Sequence, residues 1–438
     1  MLERKIYADL LHWKKTHTHT CLMIKGARQV GKTYIIREFG KNEYESFIEI
    51  NFLRQKDLKT IFSDDLSADS IYKRLTAQMQ NIRLIEKKTL IFLDEIQACG
   101  NARTAIKFLA EDGRYDVISS GSLLGLTFGE DGDPDVEEPA SVPTGYEDFL
   151  TMYSLDFEEY LWANGYKNAI PILKEHFDEK KPIPADINRK YEDLFREYMV
   201  IGGMPEVVDD FVKHHDFNMA AGIQNRILED YNFDISKHAK GAEKIKVKKC
   251  YDAIPRQLAK ELKKFQYATV EKGTTSKKYG DSVTWLIDSS LVNASYNVHE
   301  AYIPLMANAD DTQFKLYFND TGLLCAVYGF ETKRALLNNT LKGNAKGGIY
   351  ENAVSEALVK NGYKLYYYKP DDHREIEFII EKYGQAVPLE VKAGNTATVS
   401  LNGFVKEYTP VIAYKLVNGN IGFHDGKLTL PHYMVMFI

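Results

Sequence analysis

The sequence predicts an α/β fold, with a parallel sheet flanked by helices in its first 165 residues. Three observations predict it. Short apolar runs alternate with helix-length segments. A Gly-rich turn, Gly26-Ala-Arg-Gln-Val-Gly31-Lys32-Thr33, separates the first apolar run from the first strong helix. A later apolar run, 90–93, ends in two adjacent acids, Asp94 and Glu95.

The elements follow in order. Residues 20–24 are a first strand, and 33–39 a helix with Gly40 placed to stop it. Residues 46–52 alternate apolar and polar side chains with period two. Run 89–93 has the continuous apolar character of a buried strand, and Tyr115-Asp-Val-Ile-Ser119 reads as another buried strand. Residues 127–145 hold six acids, three prolines and no base, which predicts an acidic loop. From 156 to 234 the pattern is helical, broken at Gly202-Gly203-Met204-Pro205. Helices and then two strands, 291–297 and 313–318, fill 237–318. A Gly/Lys-rich stretch, 342–348, reads as a linker. A helix and strands at 364–368, 375–380 and 386–391 complete the chain.

Composition narrows the class. With 438 residues, 44% apolar and 27% charged, the chain is an ordinary globular one of two to four domains, at roughly 150 residues each. No apolar run approaches the roughly 18 residues that cross a bilayer. Charged residues from Glu3 to Lys15 exclude a secretory signal. Cys21, Cys99, Cys250 and Cys325 lie far apart, so neither zinc nor a disulfide framework is expected. A cytoplasmic location without a membrane partner follows. His17 and His19 have no companions to complete a metal site and are expected on the surface. Net charge is −6, unevenly spread. Residues 237–280 hold thirteen Lys/Arg against four Asp/Glu, a local +9 that leaves −15 elsewhere. That segment is either a polyanion-binding surface or a solvated lysine face.

The Gly-rich turn matches G-x-x-x-x-G-K-[ST] between a strand and a helix. Its glycines let backbone N–H groups face phosphate oxygens beside a helix N-terminus. ATP with Mg²⁺ is therefore expected on Gly26, Ala27, Arg28, Gln29, Val30, Gly31, Lys32 and Thr33. Lys32 would neutralise the β- and γ-phosphates, and Thr33 and Asp94 would hold the metal. Glu95 would polarise the attacking water, making Lys32 and Glu95 the catalytic pair. Ser120 or Ser122 would touch the γ-phosphate or that water, or would simply form a turn.

The chain resembles the prokaryotic AAA-type P-loop ATPases whose C-terminal region carries a domain of unknown function. The resemblance rests on GARQVGKT (26–33), LIFLDEIQ (90–97), SSGSLL (119–124), SLDFEEYL (154–161), GGMPEVV (202–208), FKLYFNDTGLL (314–324), and IYENAVSEAL, EIEF and PLEVK within 349–392. It implies an ATPase core (1–165), a helical lid (166–236), a winged-helix-like segment (237–341) and a restriction-endonuclease-like domain (342–438). It also implies that Gly203 and Pro205 belong to a lid closing over the nucleotide. Two departures stand out: the loop after the Gly-Ser element is long and acidic, and Tyr146 follows Gly145 where the family usually has arginine. Arg28 either replaces that arginine or projects to solvent.

Helix, basic turn, helix and two strands is also the order of a winged helix-turn-helix. That order would place Lys277 and Lys278 on DNA phosphates, unless the module serves protein contacts or domain packing. In the last domain Glu351, Glu377 and Glu390-Val-Lys392 have the arrangement of restriction-type nucleases. Glu390 and Lys392 share one strand face. Two carboxylates would hold Mg²⁺ and the lysine would stabilise charge on phosphate. The strict pattern has Asp where Glu377 stands, so a retained but inactive fold is the alternative. The expected function is Mg²⁺-dependent ATP hydrolysis that rearranges the appended domains, on DNA. The alternatives are an ATP-gated nuclease and a non-catalytic nucleotide switch that binds a protein partner.

Overall fold

The computed structural model describes residues 2–121, 143–238, 243–394 and 398–438. Ser122 and most of the expected acidic loop lie outside the described residues. The chain forms two compact units, Glu3–Tyr153 and, after it, Ser154–Ile438.

The first unit is built on five strands: β1 (Cys21–Lys25), β2 (Ser46–Asn51), β3 (Thr89–Asp94), β4 (Asp116–Ser120) and β5 (Glu147–Thr151). Their order is β2-β3-β4-β1-β5, and every neighbouring pair is parallel. Alternate side chains of one strand serve opposite faces. Leu22, Ile24, Leu90, Phe92 and Ile118 pack with helices Ile6–Thr16 and Lys32–Glu43. Cys21, Met23, Ile91, Leu93 and Val117 pack with helices Ala68–Gln78 and Gly100–Asp112.

Two expectations in this unit need correction. Gly40 does not stop its helix, which runs on to Glu43. A Cβ at Gly40 would lie 2.2 Å from the Phe47 ring, so this glycine permits close approach to β2. His17 is half-buried rather than a surface residue. Its ring stacks on Trp13 with centroids 4.0 Å apart, and Nε2 lies 3.2 Å from Asp116 Oδ1.

The second unit begins earlier than the expected boundary at 165. Phe157 packs its ring against Phe195 and Tyr198, at 5.1 and 5.5 Å. The Leu155 N–H donates to Gly203 O at 2.7 Å. These contacts fasten 154–163 to the helices Ala185–Ile201 and Pro205–His214.

The boundary expected at 341/342 falls inside a single sheet and separates no domains there. Strands β6 (Val292–Val298) and β7 (Ala309–Phe318), expected as a wing, pair with each other, and β6 also pairs in parallel with β8 (Leu365–Tyr368). They complete an eight-stranded sheet with β9 (Ile376–Lys382), β10 (Gln385–Lys392), β11 (Ala413–Val417), β12 (Gly422–His424) and β13 (Lys427–Pro431), ordered β12-β13-β11-β10-β9-β8-β6-β7.

The expected linker is the start of a buried helix, Asn344–Lys360. Its Gly348 lets the helix approach Leu258, whose carbonyl oxygen would lie 2.3 Å from a Cβ there. Asn352 then clamps the helix to β7. It accepts from Phe318 N–H at 2.7 Å and donates to Phe318 O at 3.2 Å. Among the described residues no helix is long and apolar enough to cross a membrane.

Candidate functional site

The C-terminal edge of the five-stranded sheet gathers the expected nucleotide residues. Gly26 leaves β1 so close to Met152 that a Cβ would meet its carbonyl oxygen at 2.2 Å. Gln29 and Gly31 are left-handed, with φ of 63° and 97°, and Gly31 caps the helix Lys32–Glu43. Buried Arg4 buttresses the turn by donating to Val30 O at 3.1 Å and Tyr153 O at 2.6 Å. Lys32 Nζ donates to Gly26 O and Ala27 O at 2.9 and 2.8 Å. Burial lowers Lys32 to about 8, against the pull of Glu95 and Asp94.

Asp94, 2% exposed at the end of β3, is the hub of the edge. It accepts from Thr33 Oγ1 at 3.2 Å, from Asn51 Nδ2 at 2.7 Å and from Ser120 Oγ at 2.5 Å. Strand order explains the convergence: β4 lies between β1 and β3, so its last residue, Ser120, faces Asp94. Asn51 closes β2 in register with Asp94. Sequence reasoning missed Asn51, although a polar residue ending an otherwise alternating strand was a usable signal. Thr33 and Asp94 offer the oxygen donors that suit a hard cation, 3.2 Å apart. Glu95 follows, its carboxylate accepting from Gln97 Nε2 at 2.6 Å. Tyr146, where the resemblance implies arginine, donates to Glu111 at 2.7 Å.

Gly203 and Pro205 lie in the second unit, where local packing accounts for them. A Cβ at Gly203 would sit 2.0 Å from Leu155 O, and Pro205 opens the helix Pro205–His214. The Gly203 N–H donates at 2.7 Å to Asp320, which burial raises to about 6, helped by Glu356 and opposed by Lys360.

The C-terminal candidates also converge. Lys392 Nζ lies 3.0 Å from Glu377 Oε1 and 3.4 Å from Glu390 Oε1, and Val391 N–H donates to Glu377 Oε2 at 3.0 Å. Glu351 instead pairs with Lys263 at 2.8 Å and lies 3.9 Å from Lys315. Lys315, 1% exposed on β7, also meets Glu375 at 2.6 Å, and Lys369 lies 3.5 Å from Glu375. Four glutamates and four lysines therefore pair in two sets, Lys392 with Glu377 and Glu390, and Lys263, Lys315 and Lys369 with Glu351 and Glu375; of the lysines the sequence had pointed only to Lys392. A lysine inside the apolar run of β7 was the signal for Lys315.

Burial raises Glu390 to about 7 against the pull of Lys392. Burial would also raise Glu375, but Lys315 outweighs it and holds that carboxyl at about 2. Among the described residues no group of three or more His, Cys, Asp or Glu is arranged to hold a metal ion.

Comparison with known proteins divides the chain in three. Residues 18–161 match the family described as AAA domain, 192–334 a domain of unknown function (DUF8612), and 346–432 another (DUF4143). An uncharacterised protein of Mycobacterium bovis and one of Mycobacterium tuberculosis are each 28% identical over 130 residues. That alignment spans 29% of this chain and 27% of each relative. A Walker-type ATPase of Pyrococcus abyssi, PABY2304, is 14% identical in a structural match that covers 75% of this chain and 96% of that one, with a TM-score of 0.42. With the GARQVGKT turn and the parallel sheet, the AAA match defines the class of the first unit: a P-loop domain of the AAA type.

Proposed function

We propose that this chain is a Mg²⁺-dependent ATPase. The observation that carries the proposal is the convergence of Thr33, Asn51 and Ser120 on Asp94, at the sheet edge where the P-loop opens its helix. In this proposal Gly26 to Gly31 present backbone N–H groups to the phosphates. Lys32 exchanges the carbonyls of Gly26 and Ala27 for phosphate oxygens. Thr33 and Asp94 hold the metal, Ser120 orients phosphate or water, and Glu95 accepts a proton from the attacking water. The bound Mg²⁺ supplies charge neutralisation on the phosphates.

Lys32→Ala is expected to abolish tight ATP binding. Glu95→Gln is expected to retain binding and lose turnover by on the order of 10²-fold or more. Unchanged turnover in both variants refutes the proposal.

Hydrolysis would then rearrange the unit Ser154–Ile438, which meets DNA through 237–280. At least four bases of that segment are already paired: Lys246 with Glu243, Lys249 and Lys278 with Glu271, and Lys263 with Glu351. The DNA contact therefore rests on the remainder, Lys277 among them. An ATP-gated nuclease is the second proposal, favoured by the convergence of Glu377, Glu390 and Lys392. Against it, Lys315 and Lys263 already supply positive charge beside Glu351. Mn²⁺-dependent nicking that is lost in Glu390→Ala, while ATP turnover continues, would establish it. No nicking by the wild-type chain leaves the domain as a binding module.

A further inference from the structure

Glu95 has a neighbour to which the roles above assign no work. The Glu95 backbone is left-handed, with φ 55° and ψ 47°, a conformation that side chains with a Cβ rarely adopt. The Ala98 N–H donates to Glu95 O at 2.9 Å and closes a tight turn over Ile96–Ala98. This turn returns Gln97 to the side of the Glu95 carboxylate. Gln97 Nε2 donates to Glu95 Oε2 at 2.6 Å.

The amide orientation follows from chemistry. A carboxylate only accepts, so the amide nitrogen must face it. Gln97 Oε1 is then left buried with no donor among the described residues. Strained backbone and an orphaned acceptor both cost stability, and they fall within one tripeptide. Both accompany the clamp on one oxygen of this carboxylate. Glu95 directly follows Asp94, the hub of the sheet edge, so the clamped carboxylate belongs to the edge where the P-loop opens its helix.

We propose that Gln97 is a positioning residue for hydrolysis: its amide ties one carboxylate oxygen of Glu95 so that the other is presented to the attacking water. This inference rests on the proposed ATPase activity. It goes beyond that activity in giving a role to a residue outside the proposed nucleotide and metal contacts.

The test uses the full chain and Gln97→Met, similar in length but without a donor. Affinity for a fluorescent ATP analogue is expected within twofold of wild type. The unfolding temperature should be unchanged or raised, since the orphaned acceptor is gone. Turnover should fall roughly tenfold to a hundredfold, the usual effect of removing a partner that orients a reacting group. KM for ATP should stay within about twofold of wild type while kcat falls, which assigns the loss to the hydrolytic step rather than to binding.

Wild-type turnover in Gln97→Met overturns the proposal. So does a parallel loss of ATP affinity and unfolding temperature, which marks a structural role. Absence of turnover in the wild-type chain overturns the ATPase proposal itself and this inference with it, a result distinct from an active Gln97→Met.

Discussion

Replacing Asn51 with aspartate exchanges one atom pair at the hub of the sheet edge and changes nothing in size. Asn51 Oδ1 already accepts from Leu53 and Arg54 N–H groups at 3.2 and 3.0 Å, and an aspartate oxygen keeps both bonds. The other side of the group changes sign. Where Nδ2 donates to Asp94 Oδ2 at 2.7 Å, a second carboxylate oxygen would stand. Two charges about 4 Å apart at an effective dielectric of about 20 repel by about 4 kcal/mol. That is equivalent to about three pH units.

The folded-state pKa of the new pair is therefore raised. Its stability is present at low pH, where a shared proton replaces the amide N–H, and is lost as pH rises through the raised value. For a unit of this size each kcal/mol moves the unfolding temperature by roughly 2–4 °C. Asn51→Asp should therefore unfold roughly 10 °C below wild type at pH 8. It should approach wild type at pH 5. Calorimetry of the full chain at both pH values measures this, following the transition that ATP shifts. An equal deficit at both pH values would show that Asn51 and Asp94 do not share that contact.

Three further outcomes are expected. Stability of the Ser154–Ile438 unit should fall as pH rises toward about 7, because burial raises Glu390. The loss is on the order of 3 kcal/mol and should vanish in Glu390→Gln, as denaturant titrations at pH 5 and 8 would reveal. Gly40→Ala should destabilise the first unit by about 1–3 kcal/mol, since its Cβ would drive into the Phe47 ring, and Phe47→Leu in the same chain should recover part of that loss. If 237–280 meets DNA, affinity should fall steeply with salt. Glu271→Gln should then tighten binding at low salt by freeing Lys249 and Lys278, whereas salt-insensitive binding would favour a protein partner.

Local features were legible in the sequence because they are contiguous. The P-loop needs its glycines and Lys32-Thr33 within eight residues, and Asp94-Glu95 needs only a strand to end on. Most strands of both units were visible as apolar or alternating runs. Gly40, read as a helix stop, and Gly348, read as part of a linker, were misread because a glycine that breaks or loosens the chain and one that admits a neighbour look alike until the neighbour is known. Phe47 and Leu258 are those neighbours.

Pairing across distance was decided by the tertiary structure alone. Nothing local assigns β6 to β8, some seventy residues later, in place of a self-contained wing. Asn51 gains meaning from its register with Asp94. Lys315 gains it from Glu351 and Glu375, which arrive on a helix and just ahead of a strand farther along the chain. The physical reason is common to all three. A charge or a hydrogen-bonding group in an apolar strand is only a cost until burial brings it a partner, and burial is a property of the folded chain.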